Sequence, residues 1–247
     1  MKATPFEFRL RFVIHVILYV FGFTVPWNKW LPLDPRGPNA HVWGTLAAKL
    51  SALNPGTFNI LTAFNNLLIV GILFALAAAI LRTWAAAYLG SSIVQDPCMH
   101  GEGVVAAGPY RHLRNPLYLG ILLHTFALAL LMPPSGAIFC ILAIGFFQLR
   151  LIGAEQSFLT AKLGEPYLAY CAKVPSLIPS IKPRVPPSTQ HPRWPTAILG
   201  EIYMWGVVLS FAILGWRYNA TLITKGVLIS LGISLIARAF IPTPKPQ

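Results

Sequence analysis

The chain has 247 residues, of which 55% are hydrophobic and only 11% are charged. Soluble domains carry roughly a quarter charged residues, so this composition excludes an ordinary soluble protein and indicates a membrane protein. The formal net charge is +12, but the basic residues lie between apolar runs and form no single patch, which argues against nucleic acid as a partner. The three cysteines have no CxxC spacing, so the sequence predicts neither a disulfide framework nor a zinc knuckle.

Long uncharged stretches predict an all-α, polytopic integral membrane protein with about six transmembrane helices, because a helix needs roughly 20 apolar residues to cross a bilayer. One stretch is interrupted by Pro133-Pro134-Ser135-Gly136, which predicts a tight turn and therefore a helical hairpin. The predicted spans are residues 12–28, a second span within 51–81 that ends at Arg82, the two arms of 115–149, residues 202–216 and residues 221–240.

Most of the 19 Lys and Arg residues fall in loops that are cytoplasmic if the amino terminus is cytoplasmic. Because basic loops are retained on that side, we expect both termini in the cytoplasm, together with segments 90–114 and 153–194. These two segments flank the hairpin and hold most of the polar residues that could do chemistry. Gly164 is expected to end a helix over 156–163, and Tyr167 and Tyr170 mark a second short cytoplasmic amphipathic helix.

The segment Arg114-Asn115-Pro116 predicts a helix start, since Asn can cap a helix and Pro suits the first helical position. The amide donors and positive dipole end of this helix could hold a carboxylate or phosphate at the membrane boundary. The alternative is a well-capped membrane helix with interfacial Tyr110 and Tyr118, and the spacing alone favours that alternative.

Glu155 follows the apolar part of the second hairpin arm and is a candidate functional residue, because an acid at the edge of a membrane helix usually faces the protein interior or a wet cavity. An exposed Glu155 paired with Arg150 is an equally good interpretation. His15 and His124 lie singly in spans and are expected to be packed or hydrogen-bonded. Six helix glycines are expected to permit close packing: Gly71, Gly200, Gly206, Gly215, Gly226 and Gly232.

Five short motifs follow one another in the central part of the chain. They are Gly108-Pro109-Tyr110, Arg114-Asn115-Pro116-Leu117-Tyr118-Leu119-Gly120, Glu155-Gln156-Ser157-Phe158-Leu159, Leu163-Gly164-Glu165-Pro166-Tyr167-Leu168-Ala169-Tyr170 and Val174-Pro175-Ser176-Leu177-Ile178-Pro179. In this order, on either side of an apolar hairpin, they resemble the isoprenylcysteine carboxyl methyltransferases and their relatives among the membrane phospholipid methyltransferases. The resemblance extends from about Ala85 to Lys182.

The resemblance implies an integral membrane enzyme that transfers a methyl group from S-adenosylmethionine, bound on the cytoplasmic side, to a lipophilic acceptor that enters from the bilayer. It implies Glu155 and Arg114 as catalytic residues and Arg150 as a substrate residue. No metal is expected, because the spacing of Cys98, His100, Glu102 and His112 matches no standard metal site. The residues that it implies for cofactor binding are Gln95, Glu102, Gly103, Val104, Val105, Tyr110, Asn115, Pro116, Leu117, Tyr118 and Glu155. A helix amino end suits the methionine carboxylate, and a glutamate suits the amino group or a ribose hydroxyl.

Departures from the family pattern concern the acceptor. Asn115 stands where the carboxyl methyltransferases have His, and Gln156 replaces the second glutamate of an acidic pair. The family arginine that faces the substrate carboxylate aligns with Leu151, one residue from Arg150. The expected acceptor is therefore an isoprenylcysteine carboxylate-like lipid or another carboxylate, thiol or amine lipid.

Two other functions compete with the enzyme: a transporter or assembly subunit that keeps the methyltransferase scaffold, and a sterol-type reductase with a nicotinamide cofactor. A transporter should place ionisable groups near mid-membrane, whereas here the polar residues cluster at the cytoplasmic edge, which favours the methyltransferase. The predicted regions are 1–84 with two spans, 85–182 as methyltransferase core and 183–247 as Pro-rich linker and terminal helix pair. Membrane lipids are expected partners, while the oligomeric state and the role of the terminal pair stay open.

Overall fold

Helices make up nearly all of the regular structure in the described part of the chain, and no strand occurs there. The computed structural model describes residues 2–25, 40–53, 59–96, 98–99, 101 and 103–240. The helices are α1 (Pro5–Arg9), α2 (Arg11–Thr24), α3 (Val42–Leu53), α4 (Ile60–Leu89), α5 (Ser91–Gln95), α6 (Pro116–Ala129), α7 (Pro134–Leu163), α8 (Glu165–Lys173), α9 (Trp194–Gly200), α10 (Ile202–Leu209) and α11 (Ala220–Ala237), with 3-10 or π-helical turns at Gly108–Arg111, Ser210–Leu214, Gly215–Arg217 and Arg238–Phe240. The all-α prediction is confirmed.

The predicted hairpin is formed by α6 and α7, which pack against each other on either side of the turn before Pro134. α7 is 30 residues long and continues without a break through Glu155 to Leu163. Gly164 ends it with φ +60°, as the sequence predicts, and α8 follows as the expected short helix. At about 1.5 Å per residue α7 is about 45 Å long, so its last part extends beyond a hydrocarbon core of about 30 Å.

The predicted second span is found in α4, but the helix continues beyond the predicted end at Arg82. Residues up to Leu53 belong to the separate helix α3, and α4 begins at Ile60, where the side chain of Asn59 accepts a hydrogen bond from the Thr62 amide. α4 then passes Arg82 and ends at Leu89. A charged residue stays inside the helix because the guanidinium of Arg82 is neutralised by Glu201, at 2.7 and 2.8 Å.

Three of the described helices are long and apolar enough to cross a membrane: α4, α7 and α11. The segments Trp194–Gly200 and Ile202–Arg217 reach that length only together and are bent by 63° where they meet. α2 and α6 are apolar but have 14 residues each, which is about 21 Å of helix. The described residues therefore support three or four of the six expected spans, and residues 26–28 of the first expected span lie outside them.

Close helix packing at glycines is confirmed in the terminal pair and around α4. A Cβ added at Gly206 would collide with Ser230, and one at Gly226 would lie 2.7 Å from the Oγ of Ser210. Gly232 has no heavy atom within 4 Å of such a Cβ, so the expected packing role is wrong there. Two further glycines are closely packed: Gly71 against Leu130 and Phe211, and Gly215 against Leu68.

Both histidines of the spans are hydrogen-bonded, as predicted. His15 Nδ1 donates to the carbonyl oxygen of Arg11 at 2.5 Å, and its Nε2 accepts from the Nε2 of Gln148 at 3.1 Å. His124 Nε2 pairs with the hydroxyl of Tyr203 at 3.1 Å. These bonds satisfy the imidazoles inside the helix bundle, where an unpaired polar group would be costly.

Candidate active site

Tyr118 and Glu155 meet at the end of the hairpin that precedes α8. Tyr118 lies in the first turn of α6, Glu155 lies in the last third of α7, and the Tyr118 hydroxyl donates to Glu155 Oε2 at 2.7 Å. The two residues are 37 positions apart in the sequence, and the antiparallel arms of the hairpin bring them together. A hydrogen bond to a carboxylate is among the stronger neutral–charged contacts in proteins, so this pair fixes the Glu155 side chain.

Arg150 is paired with Glu7 and not with Glu155, so the interpretation of Glu155 as a partner of Arg150 is wrong. The Nη2 of Arg150 donates to both carboxylate oxygens of Glu7, at 2.7 and 2.9 Å. Five residues along a helix correspond to a rotation of about 140°, which places Arg150 and Glu155 on different faces of α7. The Thr4 amide donates to Glu7, and this bond and the Arg150 guanidinium hold the pKa of Glu7 below its ordinary value.

Asn115 occupies the capping position before α6, but its side chain makes no capping hydrogen bond, so this part of the prediction is wrong. The Asn115 side-chain amide donates instead to the carbonyl oxygen of Ser176 at 3.1 Å and to its hydroxyl at 3.0 Å. Gln156 Nε2 reaches the same hydroxyl at 3.5 Å. The Asn115 side chain does not cap α6 because it bonds to Ser176. Ser176 thus connects the motifs that contain Asn115, Gln156 and Ser176 itself.

The Pro-rich stretch after α8 is bonded along its length to the residues before α6. We call residues 174–193 the strap. The backbone bonds between the strap and the earlier chain are Arg114 N to Pro175 O at 2.8 Å, Asn115 N to Ser176 O at 3.1 Å, Ser180 N to His112 O at 2.9 Å, Arg184 N to Arg111 O at 2.8 Å, Ser188 N to Ala106 O at 3.1 Å and Arg193 N to Ala87 O at 2.8 Å. The segment expected to be a Pro-rich linker is therefore bonded to the turn that holds Tyr110 and to the start of α6.

Tyr110 lies in the turn that the strap covers. Its carbonyl oxygen accepts a hydrogen bond from the Tyr170 hydroxyl at 2.7 Å, so α8 is fixed to this turn. The Tyr110 side chain is buried, and burial raises the pKa of its phenol well above the ordinary value. Among the described residues its hydroxyl has no hydrogen-bond partner, although it is close enough to Glu155 to interact electrostatically.

The Nε of Arg114 is a second buried polar atom that lacks a partner in the described part of the chain. Leaving such a group unsatisfied costs about 1–3 kcal/mol, so buried orphan donors usually have a ligand or water to bind. Arg114 interacts electrostatically with Tyr167 and Tyr170 of α8, and Tyr110 with Glu155. Two orphan donors in this region fit a polar ligand such as the amino acid or ribose part of a nucleoside cofactor.

The other residues that the resemblance assigned to the cofactor divide into three groups. Pro116 and Leu117 form the start of α6 next to Tyr118. Val104 and Val105 are half-buried in an irregular segment, and Val104 packs against the cluster of Tyr167, Tyr170 and Val174, while Gly103 is exposed. Gln95 ends α5, but its side chain lies outside the described residues, as does Glu102 altogether.

Arg11 is a contributor that the sequence did not reveal. Its Nη2 donates to the carbonyl oxygens of Val94 at 3.2 Å and Asp96 at 2.6 Å, which fixes the backbone on both sides of Gln95. The guanidinium is also close enough to Glu155 to interact with it electrostatically. In the sequence, Arg11 is one of several basic residues before an apolar run, a pattern that signals topology and gives no hint of a tertiary partner.

Part of the central region is similar to a known family. Residues 66–165 match a sequence model of the phospholipid methyltransferase family. The match confirms the family resemblance, and together with the apolar helices it supports a membrane methyltransferase. The matched region begins within α4, ends at the first residue of α8, and includes Tyr110, Asn115, Tyr118 and Glu155. Comparison with curated proteins and with solved structures gives no significant match.

Proposed function

We propose that the protein is an S-adenosylmethionine-dependent methyltransferase that acts on a lipophilic acceptor from the bilayer. The observation that carries the proposal is the 2.7 Å contact between Tyr118 and Glu155, two residues assigned to the cofactor by the resemblance and both inside the family match. The orphan hydroxyl of Tyr110 next to this contact supports a bound polar ligand.

The chain offers complementary groups for the two ends of such a cofactor. The Glu155 carboxylate can accept hydrogen bonds from an amino group or from ribose hydroxyls, and the amino end of α6 favours a carboxylate. The Tyr110 hydroxyl and the Arg114 guanidinium supply further donors. When bound, S-adenosylmethionine supplies an electrophilic methyl group on a sulfonium.

Methyl transfer from a sulfonium disperses charge, so the protein contributes mainly alignment and exclusion of water. A carboxylate or thiolate acceptor would react as the anion. An amine acceptor must also lose a proton, and Glu155 is the acid–base group of the site that could take it up. Because Arg150 has its charge neutralised by Glu7, we do not assign an acceptor carboxylate to it. The site faces the cytoplasm in the orientation that the basic loops favour.

The test is titration calorimetry of S-adenosylhomocysteine into detergent-purified protein. Wild type should bind in the micromolar range, about −8 kcal/mol. Tyr118→Phe, which removes one hydroxyl, and Glu155→Gln, which removes one charge, should each weaken binding about tenfold or more, since contacts to charged groups contribute about 1.5–3 kcal/mol.

Tyr19→Phe is the matched control. It removes a hydroxyl that is hydrogen-bonded to Thr125 at 2.8 Å elsewhere in the bundle, and it should leave the affinity unchanged. Absence of binding by folded wild type would sink the methyltransferase proposal. If Tyr19→Phe and Tyr118→Phe lost affinity for S-adenosylhomocysteine equally, the loss would reflect a loosened helix bundle and not a missing contact with the cofactor.

A further inference from the structure

The strongest contact between the terminal helix pair and the family region is a buried ion pair. Arg82 of α4 donates from Nε and Nη2 to the two carboxylate oxygens of Glu201, at 2.7 and 2.8 Å, and both side chains are largely buried, with exposures of 12% and 5%. Glu201 sits where the Trp194–Gly200 helix bends by 63° into the Ile202–Arg217 segment. The pair therefore fixes this bend against α4.

Arg82 has a third contact, which leads to the candidate site. Its Nη1 donates to the carbonyl oxygen of Leu117 at 3.2 Å, in the first turn of α6 and next to Tyr118. One guanidinium thus bonds the bend of the terminal pair and the helix turn that presents the Tyr118 hydroxyl to Glu155. A planar guanidinium suits this arrangement because it holds several donors in one rigid plane.

Gly120 supplies the space that this arrangement needs. A Cβ at Gly120 would collide with Cγ of Arg82 and lie 3.0 Å from its Cδ. The glycine that ends the Arg114–Gly120 motif therefore lets the Arg82 side chain cross α6 closely on its way to Glu201.

We propose that Arg82 and Glu201 are positioning residues of the methyltransferase site, through which the terminal helix pair fixes the start of α6 and thus the Tyr118–Glu155 contact. The inference rests on the proposed function. It also gives the terminal pair a role, since the pair supplies the carboxylate that holds Arg82 in place.

Three variants test the proposal by S-adenosylhomocysteine calorimetry together with the unfolding temperature in detergent. Glu201→Gln removes the charge that orients Arg82, and Gly120→Ala displaces the Arg82 side chain without changing any charge. Both should weaken binding about tenfold or more, because small displacements of aligned groups cost large factors in function. Thr83→Val is the matched control, one residue from Arg82. It removes the Thr83 hydroxyl of α4, which accepts a hydrogen bond from Trp205 Nε1 of α10 at 3.0 Å, and it should bind S-adenosylhomocysteine like wild type.

Gly120→Ala keeps both charges of the ion pair, and because alanine favours a helix interior over glycine, the substitution offsets part of the cost of moving Arg82. A variant that keeps its unfolding temperature but loses affinity supports the proposal, and it does so even if Glu201→Gln does not fold. Wild-type affinity in either folded variant, or an equal loss in Thr83→Val, overturns it. If wild type itself does not bind S-adenosylhomocysteine, the proposed function has failed, and that outcome is distinct from failure of the positioning role.

Discussion

Two glycines of the second hairpin arm should respond to alanine in opposite ways. Gly145 lies inside α7, where alanine should stabilise the protein, and Gly164 directly follows α7, where alanine should destabilise it. Gly164 has φ +60° and ψ −137°, a combination that residues with a Cβ rarely adopt. No heavy atom lies within 4 Å of a Cβ added at either glycine, so neither substitution creates a clash. The two effects therefore come from the backbone alone.

The expected magnitudes follow from these conformations. Holding an L-residue at the Gly164 geometry costs about 1–3 kcal/mol. Replacing glycine by alanine inside a helix gains about 0.5–1 kcal/mol, which applies to Gly145. The two variants should therefore differ by about 1.5–4 kcal/mol in the free energy of unfolding. At about 2–4 °C per kcal/mol for a chain of this size, their unfolding temperatures should differ by at least about 3 °C.

Thermal unfolding in one detergent, followed by circular dichroism at 222 nm, measures both variants against wild type. Shifts in the same direction for both would refute the reasoning, because they would mean that the chain passes from α7 to α8 without the left-handed glycine. A stabilised Gly145→Ala beside an unchanged Gly164→Ala would place the end of α7 elsewhere.

Three further outcomes are expected. Tyr170→Phe should lower stability by about 1–2 kcal/mol in the same unfolding assay, because the carbonyl oxygen of Tyr110 loses a buried donor at 2.7 Å; no shift would show that α8 is not held there. The pKa of Glu7 is lowered from 4.5, so its stabilising effect is present above that pH and is lost as the pH falls through the lower folded value. Glu7→Gln should therefore flatten the acid side of the stability curve below about pH 4.5, and an unchanged curve would contradict the Arg150 ion pair. Cys98 is exposed and should react with a membrane-impermeant maleimide in inside-out vesicles but not in right-side-out ones, and the reverse pattern would invert the predicted orientation.

Features that depend on local sequence could be predicted closely. The Pro133-Pro134 turn, the stop at Gly164 and the start of α6 at Pro116 each follow from the backbone preferences of one or two residues. Spacing alone does not predict the contact between Tyr118 and Glu155. The family resemblance assigns both residues to one cofactor, and the hairpin explains how they meet.

Features that depend on tertiary partners could not be predicted. In the sequence Arg82 marks the end of an apolar run. The ion pair with Glu201, 119 positions later, lets α4 continue beyond Arg82. Asn115 is predicted to cap α6, yet its side-chain amide donates to the carbonyl oxygen of Ser176. One signal was available in the composition: the chain has only 7 Asp and Glu residues, so each acid next to an apolar run was a candidate for a specific partner.

The hydrogen bonds between the strap and residues 106–114 also set an order of assembly in the cell. Proteins are made from the amino end, so the α6–α7 hairpin can enter the membrane before the strap has been synthesised. At that stage the carbonyl oxygens of Ala106, Arg111 and His112 still lack the amides that later bind them. The last of these bonds, from the Arg193 amide to Ala87, can form only after Arg193 has left the ribosome, so we expect the strap to dock late in biogenesis.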